Sequence, residues 1–342
     1  MADFPGGPKH ITAEWLSQVL GVRVDTVAVA GSHEGTTGRA QLLLTGTGVP
    51  ESIFVKYPPR DEMQRAFVTS AGMGKREVLF YGQLADEVPV RVPGVFFADS
   101  DDAGEHYLML IEDLATSGCT FNNAATHHGT YEETMLAEFA ALHARYWRSE
   151  RFDTDLAWLE PPRQHPIAVT LVQQALSQHG ADLPPVFTEL AELYLAHTDA
   201  IHALWNRGDH TLVHGDVHDG NLFMDGERPG FLDWALVARA PAMRDVGYFL
   251  MANLAPPEIQ ERLPSLLTHY RQSLLALGVH APAYEELLEQ LRWHALYLWV
   301  GTAVTFAMGD AWQAGDYVRA TLDRLHQNLA MENVGAAVKA AL

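Results

Sequence analysis

Cysteine, positive charge and long apolar runs are scarce in this 342-residue sequence, and each shortage excludes something. With Cys119 as the single cysteine, no disulfide can form within the chain, and a reducing compartment, the cytoplasm, is the expected location. Lys and Arg number 23 against 43 Asp and Glu, a formal net charge of -20. A surface of that sign repels phosphate backbones and anionic headgroups, so neither nucleic acid nor membrane is an expected partner. The acidity would suit a cationic substrate, although solubility accounts for it equally well. The opening MADFPGGPKHITAEW has no basic stretch followed by an apolar run, so no secretory signal is read there. Residues 295–308 form an uncharged apolar run well short of the ~20 residues that span a bilayer. Internal repeats, low-complexity tracts and Pro/Ser linkers are also missing, so any domain boundary must fall in a short connection.

What remains is an ordinary globular composition, 48% hydrophobic and 19% charged, on a chain long enough for two lobes. The first hundred residues carry strand patterns: VRVDTVAVA, RAQLLLTG and ESIFVKY, then VPGVFFAD and HYLMLIEDL, separated by Gly- or Pro-containing turns. One stretch among them, GKREVLFYGQLADEV, has helical spacing. From about Tyr131 the periodicity is mostly helical, over residues 132–147, 184–205, 264–278 and 283–308. The exception is TLVHGDVHDGNLFMDGERPGFLDW, where short apolar runs flank an Asp225-Gly226 turn. We therefore expect an α+β protein with a β-rich lobe of residues 1–113 containing one helix, and a larger α-helical lobe of residues 114–342. A cleft between lobes is the default place for a ligand.

The polar residues crowd into VHGDVHDGNLF, where His214, Asp216 and Asn221 fall as H-x-D-x-x-x-x-N, and Asp233 follows at the end of GFLD. Phosphoryl transfer needs these parts: a carboxylate to orient and accept a hydroxyl proton, and amide and carboxylate oxygens for Mg²⁺. The string H-G-D-x-H-x-x-N, followed by an apolar strand and D-W, resembles the aminoglycoside phosphotransferase and choline kinase-like family of small-molecule kinases. The resemblance runs from SIFVKY through the closing helices. It implies a bilobal protein-kinase-like fold using ATP and Mg²⁺, with Asp216 as catalytic carboxylate, Asn221 and Asp233 as metal ligands, and His214 and His218 in supporting roles in the loop. It also implies that Asp245, in RDVGYFL, buttresses the loop through backbone hydrogen bonds.

The small lobe offers partners. Lys56 ends a strand and Glu77 lies on the next helical stretch, the pairing by which kinase-like folds hold a phosphate-binding lysine. HYLMLIEDL resembles a hinge, which implies Ile111 as gatekeeper, with the Glu112 carbonyl and Leu114 N–H toward adenine. In GSHEGTTGRA, Thr36, Thr37 and Gly38 are the candidates for phosphate contacts, although a G-x-G-x-x-G is absent, as it is in this family. Only ten residues lie between Trp234 and Asp245 and there is no A-P-E, so an activation loop does not fit and peptide substrates are not expected. The 100 positions from Leu114 to His214 exceed a simple hinge, and this helical insertion is expected to help build an acceptor pocket.

Other readings compete. On an extended strand His214, Asp216 and His218 would face one side and could hold a metal, as in a hydrolase. A kinase-fold protein could instead bind nucleotide without transfer. His143 on an apolar helix reads as a hydrogen-bonded core residue, and His127-His128 as a loop pair. Trp293, Trp299, Phe306 and Trp312 read as core first and acceptor pocket second. The acceptor stays open between aminoglycoside-like molecules, amino alcohols, sugars and hydrophobic alcohols, and nothing in the sequence assigns an oligomeric state.

Overall fold

The computed structural model describes residues 4–33, 35–121, 130–309 and 315–342, without the side chains of 315–317. Its contacts divide the chain into two compact units, one of Met1–Phe121 with Asn221–Val237, the other of Asn122–Gly220 with Ala238–Leu342.

The first unit is built on a five-stranded antiparallel sheet of order β1-β2-β3-β5-β4. Its members are β1 (Val24–His33), β2 (Gly38–Gly46), β3 (Ser52–Tyr57), β4 (Val95–Ser100) and β5 (Tyr107–Glu112). Along β2 buried and more exposed positions alternate, as expected of a strand covered on one face. The central strands β3 and β5 are buried almost throughout, which is why SIFVKY and YLMLIE read as continuous apolar runs. One core gathers Leu42, Ile53, Val55, Leu108 and Leu110 with Leu16 of helix α1 (Ala13–Leu20). The unit holds three α-helices rather than the one expected: α1, α2 (Glu62–Ser70) and α3 (Met73–Gln83). α1 and α2 are short and closed by local caps, Thr12 accepting from the Trp15 N–H and Asp61 from the Gln64 N–H. Windows that short carry little periodicity. α3 also stops before the expected residue 88, at Gln83.

A second, three-stranded sheet of order β6-β8-β9 joins Thr120–Phe121 (β6) to the hairpin of β8 (Leu222–Asp225) and β9 (Arg228–Phe231). Gly226 takes the left-handed turn position at φ 61°, as the Asp-Gly pair predicted. This pairing, with the stack of Trp234 on Phe80 of α3, draws residues 114–121 and 221–237 into the first unit, so its contacts extend past the expected cut at residue 113.

The second unit is helical: α4 (Tyr131–Tyr146), α5 (Pro166–His179), α6 (Pro185–Ala196), α7 (Thr198–Trp205), α8 (Met243–Asn253), α9 (Pro256–Ala276), α10 (Tyr284–Met308), α11 (Gly315–Met331) and α12 (Val334–Ala341). The two strands β7 (His210–Val213) and β10 (Ala238–Pro241) pair antiparallel. α10 packs on α5, α8, α11 and α12, which explains apolar residues on several of its faces. Trp293 and Trp299 are core residues there, Phe306 is half-buried against His179, and Trp312 lies outside the described residues, as do His127 and His128. The helix expected over 184–205 is broken at His197, next to a Thr198 hydroxyl that donates to the Tyr194 carbonyl at 2.7 Å. α9 begins eight residues before Pro264, which sits exposed inside it, so the carbonyl it deprives of a donor belongs to exposed Gln260. Among the described residues no helix is long and apolar enough to cross a membrane.

Candidate active site

In the first unit the site begins at the end of β3. Side chains alternate across a strand, and Lys56 and Tyr57 point to opposite faces. Lys56 is 3% exposed, and its Nζ donates to both Glu77 carboxylate oxygens at 2.6 Å and to Asp233 Oδ1 at 3.0 Å. Arg39, the β2 residue in register with Lys56, donates to Asp233 Oδ2 at 3.3 Å and to the Thr37 hydroxyl at 3.2 Å. Two cations side by side on neighbouring strands would repel, and two carboxylates neutralise them. Burial pushes the Glu77 carboxyl up to about 7, against the pull of Lys56 and with a further push from Asp233.

Asp233 is held by its backbone as well as by its charge. It adopts the left-handed region, φ 64° and ψ 66°, which for an aspartate is uncommon and turns the chain sharply after β9. Trp234 stacks on Phe80 with centroids 3.9 Å apart, its Nε1 donates to the Phe231 carbonyl, and Arg76 of α3 donates to the Ala235 carbonyl. The bulky residue after the aspartate therefore pins this turn to the helix that carries Glu77. Asn221 is buried at the start of the hairpin, and its carbonyl accepts from the Leu232 N–H at 3.0 Å, one residue from Asp233. Lys56, Glu77, Asn221 and Asp233 thus belong to one compact unit.

The remaining first-unit candidates have packing roles in view. Thr37 is buried and Thr36 half-buried. Gly38 lies under the Tyr57 ring, where a Cβ would come 2.2 Å from Cε2, so its glycine has a steric cause. Ile111 pairs with Phe54 in the sheet, and Leu114 packs with Cys119 and Phe223. Burial would raise the Glu112 carboxyl, yet Arg91 Nη2 at 2.8 Å and the Gly94 N–H at 3.0 Å hold it below the usual carboxylate range.

In the second unit β7 delivers the chain into the His214–Gly220 loop. Asp245 of α8 is fully buried and accepts the His214 N–H at 2.7 Å on Oδ2 and the Gly215 N–H at 2.8 Å on Oδ1. This is the loop-bracing geometry expected of it. His143 bridges Asp245 Oδ2 at 3.3 Å and the Tyr270 hydroxyl at 2.8 Å, a buried, bonded core histidine as its apolar helix suggested. The Asp216 N–H is directed at His214 Nδ1 at 3.2 Å, so His214 braces the loop from within. His218 is half-exposed, with its Nε2 3.8 Å from Asp216 Oδ2 and its Nδ1 accepting from the Gly220 N–H.

That geometry corrects the hydrolase reading. It required residues 214–218 to be extended, but β7 ends at Val213 and Gly215 takes φ 85°, which breaks the alternation. His214 is buried while Asp216 and His218 are partly exposed, and among the described residues no group of three acidic, histidine or cysteine side chains is placed to hold a metal.

Four residues complete these arrangements without having been singled out from the sequence. Arg39 is one. The Tyr248 hydroxyl donates to Asp216 Oδ1 at 3.0 Å, the Tyr297 hydroxyl donates to the Gly215 carbonyl at 2.8 Å, and the Arg244 guanidinium lies over the Tyr297 ring, 3.5 Å from its centroid. Tyr248 could have been found, because it sits three residues after Asp245 on the same helix face. Tyr297 is some eighty residues away on α10, and no local pattern announces it.

A family model described as the phosphotransferase enzyme family matches residues 43–278. No curated protein matches the sequence. Among solved structures, a Ralstonia eutropha JMP134 protein provisionally named an aminoglycoside phosphotransferase aligns with TM-score 0.57 at 15% identity, over 96% of this chain and 97% of that one. The GDP complex of aminoglycoside 2'-phosphotransferase-IIIa aligns with TM-score 0.56 at 13% identity, over 92% and 96%. Choline kinase LicA from Streptococcus pneumoniae aligns with TM-score 0.52 at 14% identity, over 93% and 97%. At such identities the likeness establishes the kinase-like α+β fold. With the family match over most of its length, the chain belongs to the phosphotransferase enzyme family and is an enzyme of that class.

Proposed function

We propose that this protein transfers the γ-phosphoryl group of ATP to a hydroxyl of a small molecule, as a soluble kinase of the cytoplasm, with residues 1–113 as nucleotide lobe and 114–342 as catalytic and acceptor lobe. The observation that carries the reading is the buried Lys56 ammonium clasped by Glu77 and Asp233, the charge arrangement a triphosphate site requires. Lys56 neutralises charge on the phosphates, and Glu77 holds the ammonium in place. Thr36, Thr37 and Gly38 contribute phosphate contacts, while Ile111 and the backbone at Glu112 and Leu114 receive the adenine.

The donors fit Mg²⁺: the Asn221 amide and the Asp233 carboxylate are hard oxygen ligands, and Asp233 is set in an uncommon backbone conformation facing cations. These two residues would hold the ion, which when bound supplies charge neutralisation on the phosphate oxygens. Asp216 accepts and orients the acceptor's hydroxyl proton, with Tyr248 fixing its carboxylate and the Asp245 bonds fixing the backbone beneath it. His214 and His218 support the loop. Positioning and electrostatics supply the acceleration, with no covalent enzyme intermediate.

One fold neighbour is described in complex with GDP and kanamycin and another is a choline kinase, which supports a search among hydroxyl-bearing amines as well as sugars and hydrophobic alcohols. The test is acceptor-dependent release of ADP across such a panel. Release with at least one acceptor is expected. Nucleotide binding without release for any acceptor class would favour the non-catalytic reading instead.

A further inference from the structure

The Asp233 carboxylate lies between two cations, with Lys56 Nζ 3.0 Å from Oδ1 and Arg39 Nη2 3.3 Å from Oδ2. With Glu77 they make two positive and two negative side chains, formally neutral before any ligand arrives. The two cations are held differently. The Lys56 side chain is only 4% exposed and is fixed by 2.6 Å bonds to both Glu77 oxygens. Arg39 is 39% exposed, and its contacts to Asp233 and the Thr37 hydroxyl, 3.3 and 3.2 Å, are at the long end of the N–H···O range. A partly exposed ion pair of that kind is weak and readily exchanged. Arg39 is therefore the cation that can move.

We propose that Arg39 is a second triphosphate cation, holding Asp233 in the free enzyme and transferring to the γ-phosphate oxygens when ATP binds. The proposal rests on the phosphoryl-transfer reading and adds a residue to it. A metal ion on Asp233 needs one of the two oxygens now bonded to cations, and Arg39 is the more weakly held of the pair. Arg39 Nε is directed at Thr37, which is buried next to β2 and so sets the orientation of the guanidinium. Nη2 points at Asp233, and with Nη1 it forms the planar fork that matches two oxygens of one phosphate. The strand lysine of kinase-like folds serves the α- and β-phosphates, and the metal bridges β and γ. Arg39 takes the Asp233 oxygen that Lys56 does not, so of the two cations it is the one left for the terminal phosphate. Its charge there balances what develops on the phosphoryl group in transit, which Lys56, already paired with Glu77, balances only in part.

Isothermal titration of ATP and of ADP, each with Mg²⁺ and without acceptor, into the full chain and its variants tests this. Arg39→Gln should weaken ATP at least about tenfold and ADP no more than about threefold, because ADP lacks the phosphate that Arg39 receives. Arg23→Gln, which removes an exposed arginine paired with Asp25, should leave both affinities unchanged. Should Arg39→Gln unfold, Arg39→Lys keeps the charge and loses the fork, and a severalfold loss confined to ATP is expected of it. Unchanged ATP affinity in the Arg39 variants, or an equal loss for ATP and ADP, would overturn the proposal and leave the phosphoryl-transfer reading standing. A wild-type chain that binds neither nucleotide would remove both.

Discussion

Replacing Asp245 by Asn asks how much of the second unit's stability rests on one buried carboxylate. Its two oxygens accept the His214 and Gly215 N–H groups at 2.7 and 2.8 Å, and Oδ2 also meets His143 at 3.3 Å, all at zero exposure. An asparagine presents one carbonyl and one amide, so one loop N–H must face another donor. The loss of a charge-assisted bond costs ~1.5–3 kcal/mol, and stranding the buried donor costs a further ~1–3 kcal/mol. A total of about 2.5–6 kcal/mol is expected, which brackets the ~3–5 kcal/mol found when a buried charged network loses one partner. Urea unfolding of the full chain, followed by tryptophan fluorescence, measures it. A loss below about 1 kcal/mol would refute the claim that Asp245 is what holds the loop's backbone, and would shift that role to the Tyr297 bond on the Gly215 carbonyl.

Three further outcomes are expected. Tyr248→Phe removes the partly exposed hydrogen bond to Asp216, so stability should fall by no more than ~1 kcal/mol while kcat drops roughly 10–100-fold with nucleotide affinity unchanged; a matching fall in stability would make Tyr248 merely structural. Gly38→Ala forces a methyl to 2.2 Å from the Tyr57 ring and should cost ~1–3 kcal/mol in thermal unfolding, whereas an unchanged midpoint would show that the ring moves freely aside. Burial pushes His326 down to about 4, and its Nε2 accepts from Trp299 Nε1 at 3.2 Å, a bond available only to the neutral ring. Because the unfolded ring titrates near ~6.5, the unfolded chain alone takes up this proton between there and about 4, so the contribution is complete above that window and is lost as pH falls through it. Melting temperatures from pH 7.5 down to 4.5 should therefore fall less steeply in His326→Gln than in the wild type, and parallel slopes would contradict the assignment.

The parts of the site legible in the sequence were those whose function forces residue type and spacing together. Lys56, Glu77 and Asp233 could be joined in advance because the proposed triphosphate-binding ammonium would be held by a strand, a helix and a hairpin in that order, and all three residues meet within bonding distance. Asp245 and the Asp225-Gly226 turn were readable for similar reasons. What escaped was set by space rather than pattern. Arg39 gains its meaning from β2–β3 register, and Tyr297 and Arg244 from the packing of α10 on α8. The alternation that put His214, Asp216 and His218 on one face assumed extended backbone, and one left-handed glycine undid it. Among the elements, the long amphipathic helices were visible, whereas α1 and α2 rest on caps and the break at His197 coincides with a threonine side chain turned back on the helix. Gly38 was legible as a glycine but not for its cause, which is the ring of Tyr57 above it.

The central claim is that Asp216 works on the acceptor's proton while other residues hold the nucleotide. Once the panel has identified an acceptor, ADP release and ATP affinity measured side by side on Asp216→Asn test it most directly. Release should fall by at least about a thousandfold with ATP affinity within a few-fold of wild type. Near-normal release from the variant would contradict the account.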